Sequence, residues 1–356
     1  MPDFTLKTFT KLLLCLRDQN YTFQTFASFL KNPAQRAVIL RHDVDSRKMN
    51  SLITARIENE LGISGTYYFR IVPKSFDENV IKQISELGHE IGYHYEDLSL
   101  CAARQVKNGK RTQKNPLPGG ARGGLKEAQG IEHRAQGRLH KIPSSEACPD
   151  RSVSGKGWVN KGTRLTVYDE EQGTGFTEEE LIESAMISFR ENLARLRQVV
   201  PVETICMHGS PLSKFDNRKL WEKYDYRDFG IIGEPYFDIN FEEVFYLTDT
   251  GRMWDGEGVN IRDKIINRKG REHTAKHAKE EISPSPSLPI SPSSSSRLHS
   301  TFDIINAAQK GELPNRMMIT IHPQRWTDRI FPWMWEVVWQ SVKNVGKRFL
   351  IYRLRN

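Results

Sequence analysis

The stretch RAVILRHDVDSRKMN, residues 36–50, joins an apolar run to a histidine and two aspartates and then to a polar segment. The apolar run predicts a buried strand, and the polar segment predicts a helix that begins with Ser46 as its cap. Side chains two residues apart on a strand point to the same face, so Asp43 and Asp45 lie on one face, about 6–7 Å apart along the strand. Two carboxylates therefore stand together where this strand ends.

The rest of the chain alternates strand-like and helix-like segments. Further strands are predicted for SGTYYFRIV (64–72), HEIGYHY (89–95), VETICMHG (202–209), EVFYLTD (243–249) and NRMMITIHP (315–323). Helices are predicted near the N-terminus and over residues 46–62, 76–88, 177–200, 214–224 and 300–311, with Gly62 and Gly88 as end signals and Thr177 with Glu180 as a capping box. This alternation predicts an α/β fold, a single distorted β/α barrel over residues 1–356.

Two low-complexity insertions interrupt this pattern, a basic one at 102–163 and a Ser/Pro-rich one at 264–299, and both are predicted to be disordered. The chain holds 52 Lys+Arg against 44 Asp+Glu. Residues 101–161 hold 13 basic and 4 acidic residues, and residues 264–297 hold 7 and 3. The remainder is mildly acidic, so no nucleic-acid partner is predicted. A basic tether for nucleic acid or an anionic surface is the alternative function of these insertions.

The cysteines and the N-terminus indicate a cytoplasmic protein. Cys15, Cys101, Cys148 and Cys206 show no paired spacing, which is typical of a reducing compartment rather than of a disulfide scaffold. The N-terminal apolar run LLLCL is too short for a signal peptide, and no run reaches the roughly 20 apolar residues of a membrane span. The sequence leaves the oligomeric state open.

Histidine or aspartate ends four of the predicted strands, in RHDVD, GYHYED, CMHGSP and TIHPQRW. In β/α barrels the loops after the strands hold the chemistry, so these ends converge on one face. Asp43 and Asp45 would repel each other there unless a divalent metal bound one of them and left the other to accept a proton. The alternative is that Arg41, on the same face, simply pairs with Asp43.

The motifs RHDVDSR, GHEIGYHYEDL and TIHP together resemble those of the polysaccharide deacetylases, carbohydrate esterase family 4. The RHDVD variant is similar to the subgroup associated with bacterial surface-polysaccharide biosynthesis. The resemblance implies a distorted β/α barrel that removes acetyl groups from N- or O-acetylated sugars with a divalent metal, typically zinc. It also implies an acetylated saccharide or nucleotide sugar as the substrate.

Carried over by position, the resemblance implies Asp43 as the base, Asp45 and His94 as metal ligands, and His322 as the acid or oxyanion partner. The chain departs from the family pattern in three places: Val44 separates the two aspartates, Leu98 replaces the second ligand histidine, and HGSP replaces an Arg-Pro motif. We expect His208 to supply the third ligand, with Glu96 as the alternative.

Other residues near the strand ends are candidates for substrate contact, and each has a structural alternative. The candidates are Arg41, Glu96, Asp249, Arg252, Trp254, Arg325 and Trp326. The tryptophans could form a platform for a sugar ring or belong to the core, and Asp249 with Arg252 could form a turn-stabilising ion pair. His89 is expected at the buried start of its strand with a structural hydrogen bond. A catalytically inactive, saccharide-binding barrel is the alternative function.

Overall fold

The computed structural model describes residues 2–114, 177–209, 215–254 and 298–355, with residues 106–114 and 344–355 described by their backbone alone. Residues 1–104 and 179–356 form one compact unit. A second unit, residues 105–178, lies almost wholly outside the described residues.

The first unit is built from parallel strands and the helices between them. The strands are β1 (Thr22–Gln24), β2 (Ala37–Val44), β3 (Thr66–Phe69), β4 (Glu90–Tyr95), β5 (Ile205–Met207), β6 (Phe245–Thr248) and β7 (Arg316–Ile321). The helices are α1 (Leu6–Asp18), α2 (Phe26–Lys31), α3 (Lys48–Glu60), α4 (Glu78–Glu86), α5 (Asp97–Lys114), α6 (Glu178–Arg197), α7 (Leu220–Lys223), α8 (Pro235–Asp238), α9 (Thr301–Gln309) and α10 (Ile330–Arg355). Short 3-10 turns cover Asn217–Lys219, Tyr226–Phe229, Thr250–Arg252 and Pro323–Arg325.

All seven strands join one parallel sheet in the order β5-β4-β3-β2-β7-β6, with β1 alongside the start of β2. The predicted α/β class with a parallel sheet is therefore confirmed. The sheet curls into a half-barrel with helices around it. Among the described strands β5 and β6 are the two ends, so a complete barrel is not seen there.

Strand β2 runs through the middle of the molecule and is buried along its whole length. On its outer face, residues such as Leu40 and Val44 pack against the surrounding helices. On its inner face, Ile39 packs with Tyr68, Met318 and the side chain of Phe26 from α2. Burial on both faces explains why the strand reads as a continuous apolar run.

The predicted helix ends are partly correct. Gly62 and Gly88 follow α3 and α4 with φ of 70° and 85°, left-handed values that glycine adopts without steric cost. Ser46 is not the cap of α3. Arg47 occupies the cap position with φ 51° and no capping side-chain bond, because a guanidinium has no acceptor for the helix N–H groups. It donates instead to the carbonyl of Gln324.

The boundaries predicted for the insertions are wrong where the structure describes them. Helix α5 continues to Lys114, and Ala102 is buried in the core, so residues 102–114 are not a loop. At the other insertion, Leu298 packs on the core and the carbonyl of His299 accepts a hydrogen bond from the Trp254 backbone. Residues 115–163 and 264–297 lie outside the described residues.

Candidate metal centre

The carboxyl ends of β2, β4, β5 and β7 meet at one edge of the sheet, as expected for parallel strands. Five side chains predicted for the site lie there: Asp43, Asp45, His94, His208 and His322. Asp43 and Asp45 belong to the end of β2, His94 lies near the end of β4, and His208 and His322 follow β5 and β7, so the backbone of the sheet fixes the position of all five.

Asp45, His94 and His208 form a group of the size that holds one metal ion. The Asp45 Oδ1 atom lies 3.2 Å from His208 Nδ1 and 3.8 Å from His94 Nε2, and the two histidine nitrogens are 3.3 Å apart. Ligand atoms on a tetrahedral zinc, each about 2.1 Å from the ion, are about 3.4 Å from one another. The three side chains therefore fit a metal without large movement.

The environment of these atoms also suits a cation. Asp45 Oδ1 is buried and has no hydrogen-bond partner in the described part of the chain, although His208 Nδ1 lies 3.2 Å from it. Burial opposes ionisation of Asp45, but the adjacent histidines more than offset it and hold the pKa of this carboxyl well below its usual value. A buried carboxylate oxygen that lacks a partner is a group that a metal ion would satisfy.

A backbone hydrogen bond fixes the tautomer of His94 and leaves Nε2 able to bind a metal ion. Its Nδ1–H donates to the carbonyl of Cys206 at 2.9 Å, which leaves the lone pair of Nε2 directed at Asp45 and His208. Burial lowers the pKa of His94 to about 4, against the opposing effect of Asp43. The imidazole is therefore neutral near pH 7, the form that binds metals.

A second group of three, Asp43, His94 and Cys206, also lies within ligand range. It shares His94 with the first, so a histidine bound to one ion in the first group is not free for the second. Asp43 is already engaged by Arg41, whereas Asp45 Oδ1 is not engaged. The first group is therefore the better candidate. Cys206 was not predicted, because nothing in its spacing marks it as a ligand.

Asp43 and Arg41 form the pair that the sequence allowed as an alternative. The guanidinium donates from Nε and Nη2 to the two carboxylate oxygens at 2.8 and 2.6 Å. Burial opposes ionisation of Asp43, but Arg41 more than offsets it and the pKa falls to about 2. Arg41 is 1% exposed, and two of its three guanidinium nitrogens are bound to Asp43, so the structure shows it as the partner of Asp43 while its contact with substrate stays a prediction.

Glu96 is held by a partner that the sequence analysis missed. Arg70, just past the end of β3, donates from Nε and Nη2 to the two oxygens of Glu96, both at 2.7 Å. Glu96 Oε2 still lies 3.9 Å from His208 Nε2. Glu96 therefore borders the metal-binding group without joining it. Arg70 directly follows the end of β3, and this position is the signal that could have marked it as a residue of the site.

Asp249 is the centre of the network around His322. Its carboxylate accepts from the Nδ1–H of His322 at 2.6 Å, from Arg325 at 2.7 Å and from the indole of Trp326 at 2.8 Å. The other imidazole nitrogen of His322, Nε2, lies 3.9 Å from Asp45 Oδ2. Asp249 thus orients His322 toward the metal-binding group, a role that its sequence position alone does not show.

Four residues predicted to contact substrate are buried in the core or engaged by other partners. Trp254 and Trp326 are 2% and 0% exposed and pack in the core, so neither has a free face for a sugar ring. Arg252 forms no ion pair with the Asp249 carboxylate but donates to the carbonyls of Arg325 and Asp3. Arg325 is bound to Asp249 and positions that carboxylate.

His89 is buried at the start of its strand, and its predicted structural hydrogen bond is confirmed. Its Nε2–H donates to the carbonyl of Ala55 at 2.9 Å, and its Nδ1 accepts from the backbone of Gly65 at 3.1 Å. Glu58 lies beside it and also contacts His42. The three residues form a buried cluster on the outer face of the sheet, which the sequence did not predict.

Comparison with known proteins identifies no relative. No family model matches the chain, and no curated protein or solved structure matches it at a significant level. Within the described ranges, every helix is too short or too polar to pass through a lipid bilayer.

Proposed function

We propose that this protein is a metal-dependent hydrolase that removes acetyl groups from an N- or O-acetylated sugar or polysaccharide precursor. The observation that carries the proposal is the meeting of Asp45, His94 and His208 with a second carboxylate and a positioned histidine. The motif resemblance to the polysaccharide deacetylases gives the substrate class. An acetylated saccharide or nucleotide sugar is the proposed partner.

Asp45, His94 and His208 would hold the cation, and two nitrogens with one oxygen are a ligand set that suits Zn²⁺. A cation held there supplies a Lewis acid that polarises a carbonyl and makes a water more acidic. The neutral imidazole of His94 and the ionised carboxylate of Asp45 need no proton loss before they bind it.

Asp43 is the proposed base. Its Oδ2 atom lies 3.8 Å from His94 Nε2, beside the metal-binding group, and Arg41 fixes both of its oxygens. The fixed geometry holds the carboxylate where it accepts a proton from a water at the centre. Arg41 therefore acts as a positioning residue for Asp43.

His322 is the proposed acid. Asp249 accepts a hydrogen bond from the Nδ1–H of His322, so Nε2 faces the metal-binding group and donates a proton to the leaving amine or alcohol. Arg325 and Trp326 hold Asp249 in turn. The reaction thus uses Asp43 and His322 on two sides of one centre.

We propose the cytoplasm as the location. Cys15, Cys101 and Cys206 are buried thiols in the structure, which suits a reducing compartment. The described helices give no membrane span.

A saccharide-binding protein without turnover is the second candidate. The observation in its favour is the ion pair between Arg41 and Asp43, because a carboxylate with a pKa of about 2 is a weak base. In that function the ion pair would serve only to stabilise the interior of the half-barrel.

The test is acetate release from acetylated sugars and nucleotide sugars, with and without a chelator, on protein of measured metal content. A deacetylase releases acetate, loses this activity with the chelator and regains it with added zinc. A binding protein releases none but binds the same sugars in calorimetry. Protein that holds about one metal ion per chain but neither releases acetate nor binds these sugars would contradict both functions.

A further inference from the structure

Helix α10 carries its large apolar side chains toward solvent. The exposed fractions of these side chains are between 47% and 85%. They are Ile330, Phe331, Met334, Trp335, Val338, Trp339 and Val342. Their spacing of three and four residues places them on one side of the helix. A surface helix of an ordinary globular protein shows the opposite arrangement.

The side of α10 that faces the protein carries buried polar side chains beside the half-buried Trp333. Glu336 and Gln340 are 7% and 8% exposed, and the amide of Gln340 donates to Glu336 at 2.7 Å. Arg47, next to the metal-binding group in sequence, lies 3.8 Å from Glu336. The helix is thus attached through polar contacts, and its apolar side is left uncovered by the described part of the chain.

This apolar surface extends beyond the helix. Met49 and Ile53 on α3 are 56% and 40% exposed and line a groove of about 1010 Å³ together with Leu6, Phe331 and Trp335. Contiguous exposed apolar patches of this kind mark an interaction surface, because scattered single residues would need no explanation.

Charge decides which partner fits. Residues 343–355 hold five basic residues and no acidic residue. Lys343 lies over the ring of Trp339 with its ammonium 5.1 Å from the ring centre. Arg47 and Arg329 line the groove with one acidic residue, Asp328, and Arg47 is also paired with Glu336. A second copy of the chain would bring the same positive charge to the contact, whereas anionic lipid headgroups would neutralise it.

We propose that α10 binds this protein to the surface of an anionic lipid membrane. The helix lies in the interface, with Phe331, Trp335 and Trp339 at the depth of the headgroups and Lys343 beside Trp339 near the lipid phosphates. The basic composition of residues 343–355 adds attraction to anionic lipid. Only three residues separate α10 from Trp326, which hydrogen-bonds Asp249. Binding therefore places the candidate metal centre near the membrane surface without any span.

The experiment is sedimentation of the full chain with vesicles of phosphatidylcholine alone and of phosphatidylcholine with about 30% phosphatidylglycerol. We expect binding to the anionic vesicles, a blue shift of tryptophan fluorescence, and loss of binding as salt is raised. The double variant Trp335→Ser, Trp339→Ser should bind at least about tenfold more weakly. Ile187→Ser on α6, which removes a side chain 59% exposed outside this surface, should bind like the parent.

Circular dichroism checks that each variant keeps the parent fold, and light scattering gives the oligomeric state. Failure of the parent to bind anionic vesicles would overturn the proposal, as would equal binding of the parent and the double variant. A dimer that dissociates in the double variant, with no vesicle binding by the parent, would assign this surface to a second copy instead.

Discussion

Arg41 and Asp43, two residues apart on one strand, form a two-pronged ion pair inside the half-barrel at 2.6 and 2.8 Å. This pair separates the roles of the two carboxylates that the sequence places together. Asp43 is fixed and fully hydrogen-bonded, whereas Asp45 keeps a buried oxygen that lacks a hydrogen-bond partner among the described residues. The repulsion between the two is thus relieved for Asp43 by Arg41, and a cation would relieve it for Asp45.

Asp43→Asn and Asp45→Asn should therefore differ. Asp43→Asn should retain the metal and lower acetate release about 10²- to 10⁴-fold, the range for loss of a general base. Asp45→Asn should weaken metal binding by roughly a hundredfold or more, because it removes a ligand rather than a neighbour of one. The measurements are metal content after dialysis and the rate of acetate release. Equal metal content and full activity in both variants would exclude these roles.

The third ligand is tested by His208→Ala against Glu96→Gln. His208 Nδ1 is 3.2 Å from Asp45, whereas both oxygens of Glu96 are bound by Arg70. We expect His208→Ala to lose metal in a competition assay with a chelating dye and Glu96→Gln to keep it. The reverse order of affinities would make Glu96 the ligand and would require Arg70 to move.

The buried network around Asp249 should contribute strongly to stability. Asp249→Ala leaves Arg325 buried without its partner, and removal of one member of a buried pair costs about 3–5 kcal/mol. Trp326→Phe, which removes a single hydrogen bond to the same carboxylate, should cost about 1 kcal/mol plus a small packing loss. Denaturant unfolding measures both. Similar losses for the two variants would show that the carboxylate is not the centre of this network.

Glu234 predicts a pH dependence of stability. Burial raises its pKa to about 7 from 4.5, although the backbone N–H groups of Met207 and Tyr236 oppose the shift. Between these values the folded protein binds more protons than the unfolded chain, so its stability falls as pH rises from 4.5 through 7. A shift of this size corresponds to roughly 3 kcal/mol.

Unfolding of the parent and of Glu234→Gln between pH 5 and pH 8 tests this effect. The parent should lose stability across the range, whereas the variant should lack this contribution and be weaker at pH 5, because its amide cannot accept both backbone hydrogens. Glu203→Gln, at an exposed surface ion pair, should follow the parent. Parallel pH curves for the parent and Glu234→Gln would assign the dependence to another group.

The α/β class was predictable because short sequence segments, each read by itself, indicate the strands and helices. An apolar run buried on both faces predicts β2, and the period-two geometry of a strand then places Asp43 and Asp45 on one face. Strand ends also predicted that the His and Asp motifs converge, since parallel strands end at the same edge, and Asp45, His94 and His208 do meet there. The choice of Asp45 and His94 as ligands came from the motif resemblance. Closure of a barrel was not predictable, because it depends on the path of the whole sheet.

What the sequence could not give is the choice of partners across the fold. Arg70 and Glu96 are distant in sequence, and only the packed sheet joins them. Trp254 and Trp326 pack in the core, and their buried indole N–H groups are satisfied by Thr301 and Asp249, also distant in sequence. Helix α10 departs from the rule that the apolar side of a helix faces the core, so its arrangement could not be inferred from that rule.

Gly92, within the motif GHEIGYH, should tolerate no side chain, because a Cβ there would collide with the ring of Tyr68. Tyr68 cannot move aside easily: it is fully buried, and its hydroxyl donates to Thr204 at 3.2 Å. We expect Gly92→Ala to cost about 1–3 kcal/mol of unfolding free energy and to weaken metal binding through His94, two residues further along the same face.

Combining Gly92→Ala with Tyr68→Leu should recover part of this loss, because the shorter side chain makes room for the methyl group. The measured quantity is the coupling energy in a double-mutant cycle of unfolding free energies, with metal affinity determined on the same four proteins. Additive losses would mean that Gly92 is required for the backbone of β4 itself and not for its contact with Tyr68. A substantial favourable coupling, accompanied by recovery of metal affinity, would show that this glycine supports the site by letting the Tyr68 ring lie beneath His94, where the ring centres are 6.4 Å apart.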